Sequence, residues 1–203
     1  KGCRSLGPGK RYVLWVHGCG RRCPGCIAEP ILAGPAASVR PVTDIVRDIV
    51  AEVAIEGITL SGGEPFDQAA ALATLCKELR SKRDLSIMAF SGFTLEELRS
   101  SAADHVHALL SQLDILVDGT YAQAEADDLL WRGSRNQRIH LLTDRHKALE
   151  PTLGEVGVGV EIHVRQNGNF FWAGVPVPGF EDTLRENLVE HDIDITHGTG
   201  GWA

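Results

Sequence analysis

The sequence predicts an α/β fold: a parallel sheet built from repeated strand–helix units that closes only part of a barrel. Three observations carry this. Strand-like apolar stretches alternate with amphipathic helical ones from Arg11 to Asp118. The strands end in polar residues and glycines, the edge at which parallel α/β sheets hold their ligands. The chain has 203 residues, fewer than the roughly 250 that a closed eight-fold barrel usually takes, so the barrel is expected to stay open.

The elements follow in order. Arg11 to Val16 (Arg-Tyr-Val-Leu-Trp-Val) reads as a buried strand that runs into a cysteine loop. Thr43 is placed to cap a helix carrying Ile45, Val46, Ile49, Val50 and Val53 on one face. Gly57 to Ser61 is a second strand. Pro65 suits a first helical turn, and Leu72, Leu75, Cys76 and Leu79 form the apolar stripe of a helix reaching about Lys82, which makes Cys76 a packing residue. Leu85 to Ser91 is a third strand, and Thr94-Leu95-Glu96-Glu97 is a capping box that opens the next helix. Leu113 to Asp118 is a fourth strand, followed by Gly119. Further on, Val160 to Gln166 and Asn169 to Val175 alternate as two strands about the hairpin signal Asn167-Gly168. Phe180 to His191 follows as a helix with Phe180, Leu184 and Leu188 four residues apart, and the glycine-rich stretch Thr196 to Ala203 is expected to order only against something else.

The chemistry is concentrated in Cys19-Gly-Arg-Arg-Cys23-Pro-Gly-Cys26. Three thiolates can hold three irons of a four-iron cluster and leave the fourth open, or they can hold zinc if His17 supplies a fourth ligand. A disulfide framework fits poorly, because five cysteines are an odd and sparse set and nothing at the N-terminus resembles a secretory signal. A second motif, Thr59-Leu60-Ser61-Gly62-Gly63-Glu64-Pro65, stands at the end of a strand. Adjacent glycines let the backbone approach a ligand closely, and a carboxylate beside them can accept from an ammonium group. The pair of motifs favours the cluster over zinc.

The spacing C-x3-C-x2-C resembles the cluster loop of the radical S-adenosylmethionine enzymes. Within that superfamily, residues 7 to 142 resemble the anaerobic ribonucleotide reductase activating proteins, the small glycyl-radical activases. The stretches that match are Gly7-Pro8-Gly9, Leu14 to Cys26, Leu60 to Pro65, Ser91-Gly92-Phe93, Leu116 to Gly119, and Leu130-Trp131-Arg132-Gly133-Ser134-Arg135-Asn136-Gln137. The resemblance implies a radical S-adenosylmethionine barrel, with Cys19, Cys23 and Cys26 ligating a [4Fe-4S] cluster. It implies that Gly62, Gly63 and Glu64 hold the methionine end of S-adenosylmethionine, with Ser91 and Asp118 as further cofactor contacts. Asp118 and Arg132 are the expected catalytic polar groups, and Asn136 and Gln137 are expected to close the site or meet the partner. The implied reaction is reductive cleavage of S-adenosylmethionine to a 5′-deoxyadenosyl radical, which takes a hydrogen atom from a glycine of a partner glycyl-radical enzyme. A flavodoxin- or ferredoxin-type protein would supply the electron.

The chain also departs from the pattern of the family it resembles. Gly25 precedes the third cysteine where many superfamily members have an aromatic residue, and Ile27-Ala28-Glu29 replaces the usual aromatic and asparagine. The region after Arg145 extends beyond the resemblance, so residues 1–145 are expected to form the barrel and 146–203 a β-hairpin plus helix packed on the same domain. It either covers the open barrel edge or recognises substrate. Two alternatives remain at this level: a radical enzyme that modifies a peptide or small molecule, and a redox protein whose cluster would need a fourth ligand such as Cys3. With 27 acidic against 20 basic residues and a formal net charge of −7, the composition argues against nucleic acid as partner. No apolar run is long enough to span a bilayer, and free cysteines with an oxygen-sensitive cluster point to the cytoplasm.

Overall fold

A computed structural model describes residues 2–29, 32, 39–154, 157, 159–164 and 170–191. Its main sheet has the order β1-β2-β3-β4-β7, with β1 Arg11–Val16, β2 Gly57–Gly62, β3 Ser86–Ser91, β4 Ile115–Asp118 and β7 Arg138–Leu141. The first four strands are parallel and in sequence order, and β7 joins β4 antiparallel. The fold is thus mixed α/β with a mainly parallel sheet. Two antiparallel pairs stand apart from it, β5 Ala126–Leu129 with β6 Arg132–Ser134, and β8 Val160–Val164 with β9 Phe170–Gly174.

Side chains alternate across the sheet and build two cores. Ile58, Leu60, Ile87, Ala89 and Leu116 point to one face and pack against helices α1 (Val42–Ala51), α2 (Ala69–Lys82), α3 (Leu95–Ser100) and α4 (Asp104–Leu110). On the opposite face Met88, Ile115 and Val117 pack with Leu130 and Trp131, while Val13, Trp15 and Phe90 pack with Cys3, Leu6 and Ala173. Cys76 lies in the helical core with no exposed surface, and burial pushes its thiol up to about 12.

Local signals account for most boundaries. The capping box is formed: Glu97 N donates to Thr94 Oγ1 at 3.2 Å, and Thr94 N donates to the Glu97 carboxylate at 2.6 Å. Some boundaries differ from the sequence expectation. Pro41 rather than Thr43 stands at the N-cap of α1, its ring holding φ at −58°, and the helix stops at Ala51, leaving Val53 85% exposed. Pro65 opens a short 3₁₀ turn, Pro65–Gln68, before α2 begins. The helix after Thr94 is divided into α3 and α4. The expected hairpin exists as β8 and β9, paired from Val160 with Gly174 to Val164 with Phe170, and is followed by α5 (Phe180–Glu190). Its Asn167-Gly168 turn and the stretch from Thr196 to Ala203 lie outside the described residues.

Arg11 shows what the sheet buries at the other end of its strands. The side chain has no exposed surface. Nε donates to Thr59 Oγ1 at 2.7 Å, and the other guanidinium nitrogens donate to Pro8 O, Ile58 O, Ser86 O and Ser86 Oγ. These neutral acceptors offset the loss of water around the charge, although burial still lowers the group to about 10.

Candidate active site

A cavity of about 590 Å³, within the usual range for small-molecule sites, opens at the C-terminal ends of β1 to β4. Its first wall is the cysteine loop, where Cys19, Cys23 and Cys26 all face the space. All three are partly buried free thiols. Burial pushes the Cys26 thiol up, and the neighbouring Cys23 and Cys19 add to the effect. Among the described residues no group of three or more His, Cys, Asp or Glu side chains is gathered closely enough to hold a metal ion. What the structure supplies is a soft donor set, three thiols on one loop facing one cavity, which suits an iron–sulfur cluster with one iron left unligated by protein. His17 is not part of this wall; its carbonyl accepts from Gln68 Nε2 at 2.8 Å.

The second wall is the end of β2, and its glycines have a structural reason. Gly63 N donates to Val16 O at 2.7 Å and Glu64 N donates to Gly18 O at 2.8 Å, which staples the cysteine loop to the strand. A Cβ on Gly63 would lie 1.9 Å from Gly18 O, and Gly62 adopts φ +97° with Val16 O 2.5 Å from where its Cβ would be. Gly25 is also constrained: its φ of +69° strains any other residue there, and a Cβ would come 2.9 Å from the end of the Gln123 side chain, which would have to shift.

Glu64 lies at the cavity but is committed to the protein. Its side chain accepts from Phe66 N at 2.9 Å, Ser91 Oγ at 3.0 Å and Gly92 N at 2.8 Å, and the residue is 2% exposed. Burial pushes its carboxyl up, against the pull of those three donors. A carboxylate offers about four acceptor positions, so one remains for a ligand. Ser91 also lines the cavity, with its hydroxyl donating to Glu64 and accepting from Phe93 N at 3.0 Å.

Asp118 and Arg132 are not brought to the cavity. Asp118 is fully buried and accepts from Leu95 N at 2.6 Å and from Arg138 Nη2 at 2.6 Å, with His140 Nε2 3.0 Å away, so it ties α3 and β7 to β4. Arg132 donates to Leu153 O at 2.9 Å. Of the Trp131 to Gln137 segment, Trp131, Gly133 and Gln137 face the cavity. Gln137 accepts from Gly133 N at 2.8 Å and donates to Gly119 O at 3.0 Å, and Asn136 donates to Thr120 O at 2.7 Å. These bonds fold the β5–β6 hairpin against the end of β4. Trp131 sits at φ +53°, in the turn between β5 and β6, a costly conformation for a bulky residue.

Several site residues have no sequence signal. Arg21 lines the cavity; its Nη1 donates to Thr120 Oγ1 at 2.8 Å, and its guanidinium carbon lies 4.0 Å from the centre of the Phe93 ring. Trp15 and Tyr121 read as ordinary strand and loop residues until the sheet places them on the same cavity. Residues Gly174 to Asp182, from the C-terminal extension, form the last wall.

Residues 5–140 match the family model described as a 4Fe-4S single cluster domain. The chain is similar to proteins named anaerobic ribonucleoside-triphosphate reductase-activating protein. The one from Vibrio cholerae is 37% identical over 145 residues, covering 68% of this chain and 91% of the relative. Those of Haemophilus influenzae and Escherichia coli K12 are 34% and 31% identical, over 66% and 67% of this chain and 89% and 91% of theirs.

Proposed function

The chain belongs to the anaerobic ribonucleoside-triphosphate reductase-activating proteins, iron–sulfur enzymes of the radical S-adenosylmethionine type, and from that premise we propose that it generates a glycyl radical on an anaerobic ribonucleotide reductase. The observation that carries the reading is convergence: Cys19, Cys23, Cys26, Gly62, Gly63, Glu64 and Ser91 come from three separate parts of the chain and line one cavity.

Cys19, Cys23 and Cys26 would hold a [4Fe-4S] cluster, and Gly62 to Glu64 with Ser91 the methionine end of S-adenosylmethionine. Such a cluster, bound and reduced, would supply the electron for reductive cleavage of the cofactor's carbon–sulfur bond. The protein's own part is positional. The staple between Gly18 and Glu64 fixes the cysteine loop relative to β2, and the remaining acceptor position of Glu64 suits an ammonium group. Trp15, Phe90 and Trp131 give the cavity apolar faces that keep water from a reactive species. No side chain has to act as a general base, because the substrate gives up a hydrogen atom. Asp118 and Arg132 act through structure in this reading, holding β4 and the β5–β6 hairpin in place.

The four parallel strands with helices on one face support a partial β/α barrel, with residues 1–145 as the barrel and 146–203 packed on it as part of one domain. No described helix is long and apolar enough to cross a membrane. A cytoplasmic enzyme reduced by a flavodoxin- or ferredoxin-type protein fits this chemistry. The test is anaerobic reconstitution with iron and sulfide, reduction, and addition of S-adenosylmethionine with the anaerobic reductase. A glycyl-radical EPR signal on the reductase and equivalent 5′-deoxyadenosine are expected, and cofactor cleavage without any radical on the reductase would count against the activase role.

A further inference from the structure

One wall of the site comes from outside the part of the chain that the family shares. The family match ends at residue 140, and two thirds of this chain already covers about nine tenths of each relative. The β8–β9 hairpin and α5 are therefore additional to them. Yet Gly174 to Asp182, the turn from β9 into α5, lines the cavity that holds the three cysteines and Glu64.

This wall is fastened to the segment that leads into β1. The Glu161 carboxylate on β8 accepts from Arg4 N at 2.6 Å and Ser5 N at 3.3 Å, and Ser5 Oγ donates to Ala173 O on β9 at 2.7 Å. Ala173 is buried with Cys3 and Leu6 in one apolar cluster, and Val13, Trp15, Phe90 and Val175 each pack against it. Leu6, Trp15, Phe90 and Val175 are also cavity-lining residues, so the extension continues the inner face of the sheet. Trp172 stands edge-on to Phe180 with ring centres 5.5 Å apart, which fixes the turn into α5. Between them run Val175-Pro176-Val177-Pro178. The prolines carry no N–H, so a guest peptide meets apolar surface here with half the usual donors for strand pairing.

We propose that Val175 to Pro178 form a specificity wall that admits the glycine-bearing segment of the partner reductase and excludes segments with bulk beside that glycine. This rests on the activase reading. A cavity of about 590 Å³ is the size of one small-molecule site, largely filled by a cofactor as large as S-adenosylmethionine. The gap left beside a fixed wall suits a main chain without a side chain. Relatives without the extension would meet their partner with this side of the site built differently.

The test uses the full-length, reconstituted protein with the anaerobic ribonucleoside-triphosphate reductase encoded in the same genome, and reads glycyl radical formed per 5′-deoxyadenosine released. Val177 is 41% exposed, so Val177→Trp adds bulk to the wall without entering the core. The ratio is expected to fall at least tenfold. Val189→Trp, on an exposed position of α5 away from the cavity, is expected to keep the wild-type ratio. An unchanged ratio in Val177→Trp, or an equal fall in both variants, overturns the wall while leaving the activase reading intact. Wild-type protein that cleaves the cofactor but yields no radical on the reductase overturns both.

Discussion

Replacing Gly63 with alanine tests whether the glycine pair exists to hold the cysteine loop. The added Cβ would stand 1.9 Å from Gly18 O, 2.7 Å from Gly18 C and 3.0 Å from Gly18 N. All three are backbone atoms, so no side-chain rotation relieves the clash, and the loop must retreat by more than 1 Å to bring that oxygen beyond 3.0 Å. That movement breaks or lengthens two bonds, Gly63 N to Val16 O at 2.7 Å and Glu64 N to Gly18 O at 2.8 Å. Two backbone bonds at about 0.5 to 1.5 kcal/mol each, with overpacking at about 1 to 3 kcal/mol, give a loss of roughly 2 to 6 kcal/mol. For a domain of this size that is a fall in Tm of about 5 to 20 °C. The assay is thermal unfolding of the metal-free protein together with iron content after anaerobic reconstitution, with Gly20→Ala as the control, since a Cβ at Gly20 meets nothing within 4 Å. Gly63→Ala should lose stability and at least half its iron, and Gly20→Ala should lose neither. Wild-type stability and iron content in Gly63→Ala would refute the staple.

Glu64→Ala should lower Tm as well as cofactor affinity, because it strands three donors, Phe66 N, Gly92 N and Ser91 Oγ. The expected cost is about 2 to 4 kcal/mol, with S-adenosylmethionine binding at least about tenfold weaker; unchanged melting would show that the carboxylate does not tie β2 to β3. Asp118 gives an acid limb: burial opposes ionisation, but Arg138 and Leu95 N–H outweigh it and hold the carboxyl below its ordinary range. A carboxylate so held stabilises the fold above its unfolded value of about 4 and ceases to as pH falls through the lower folded value. Tm should therefore drop as pH falls below about 4 and drop less steeply in Asp118→Asn, whereas parallel curves would remove Asp118 from the account. Cys3→Ala and Cys76→Ala should each keep wild-type iron content after reconstitution, since burial pushes both thiols up and neither faces the cavity; loss of iron in the Cys3 variant would point to a fourth ligand.

The sequence by itself determined the features that depend on near neighbours. Strand and helix periods, the Thr94–Glu97 capping box and the C-x3-C-x2-C loop are written in windows of a few residues, because hydrogen bonds between residues three or four apart and the alternation of side chains act over that range. The same holds for the two strands that became β8 and β9. Only the tertiary structure decided what the polar groups do once strands far apart in sequence lie side by side. Glu64 looks like a free carboxylate beside two glycines until β3 brings Ser91 and Gly92 to it. Asp118 is a polar strand end with no visible partner in the sequence, and the fold gives it Arg138 on β7 and Leu95 on α3, 20 and 23 residues away. The tail reads as a regular addition of unknown place, and the packing of its Ala173 with Cys3 and Leu6 is what turns it toward the three cysteines. The reason is common to all three: a buried polar group or apolar face must find a partner, and which partner it finds depends on contacts that no local pattern of residues specifies.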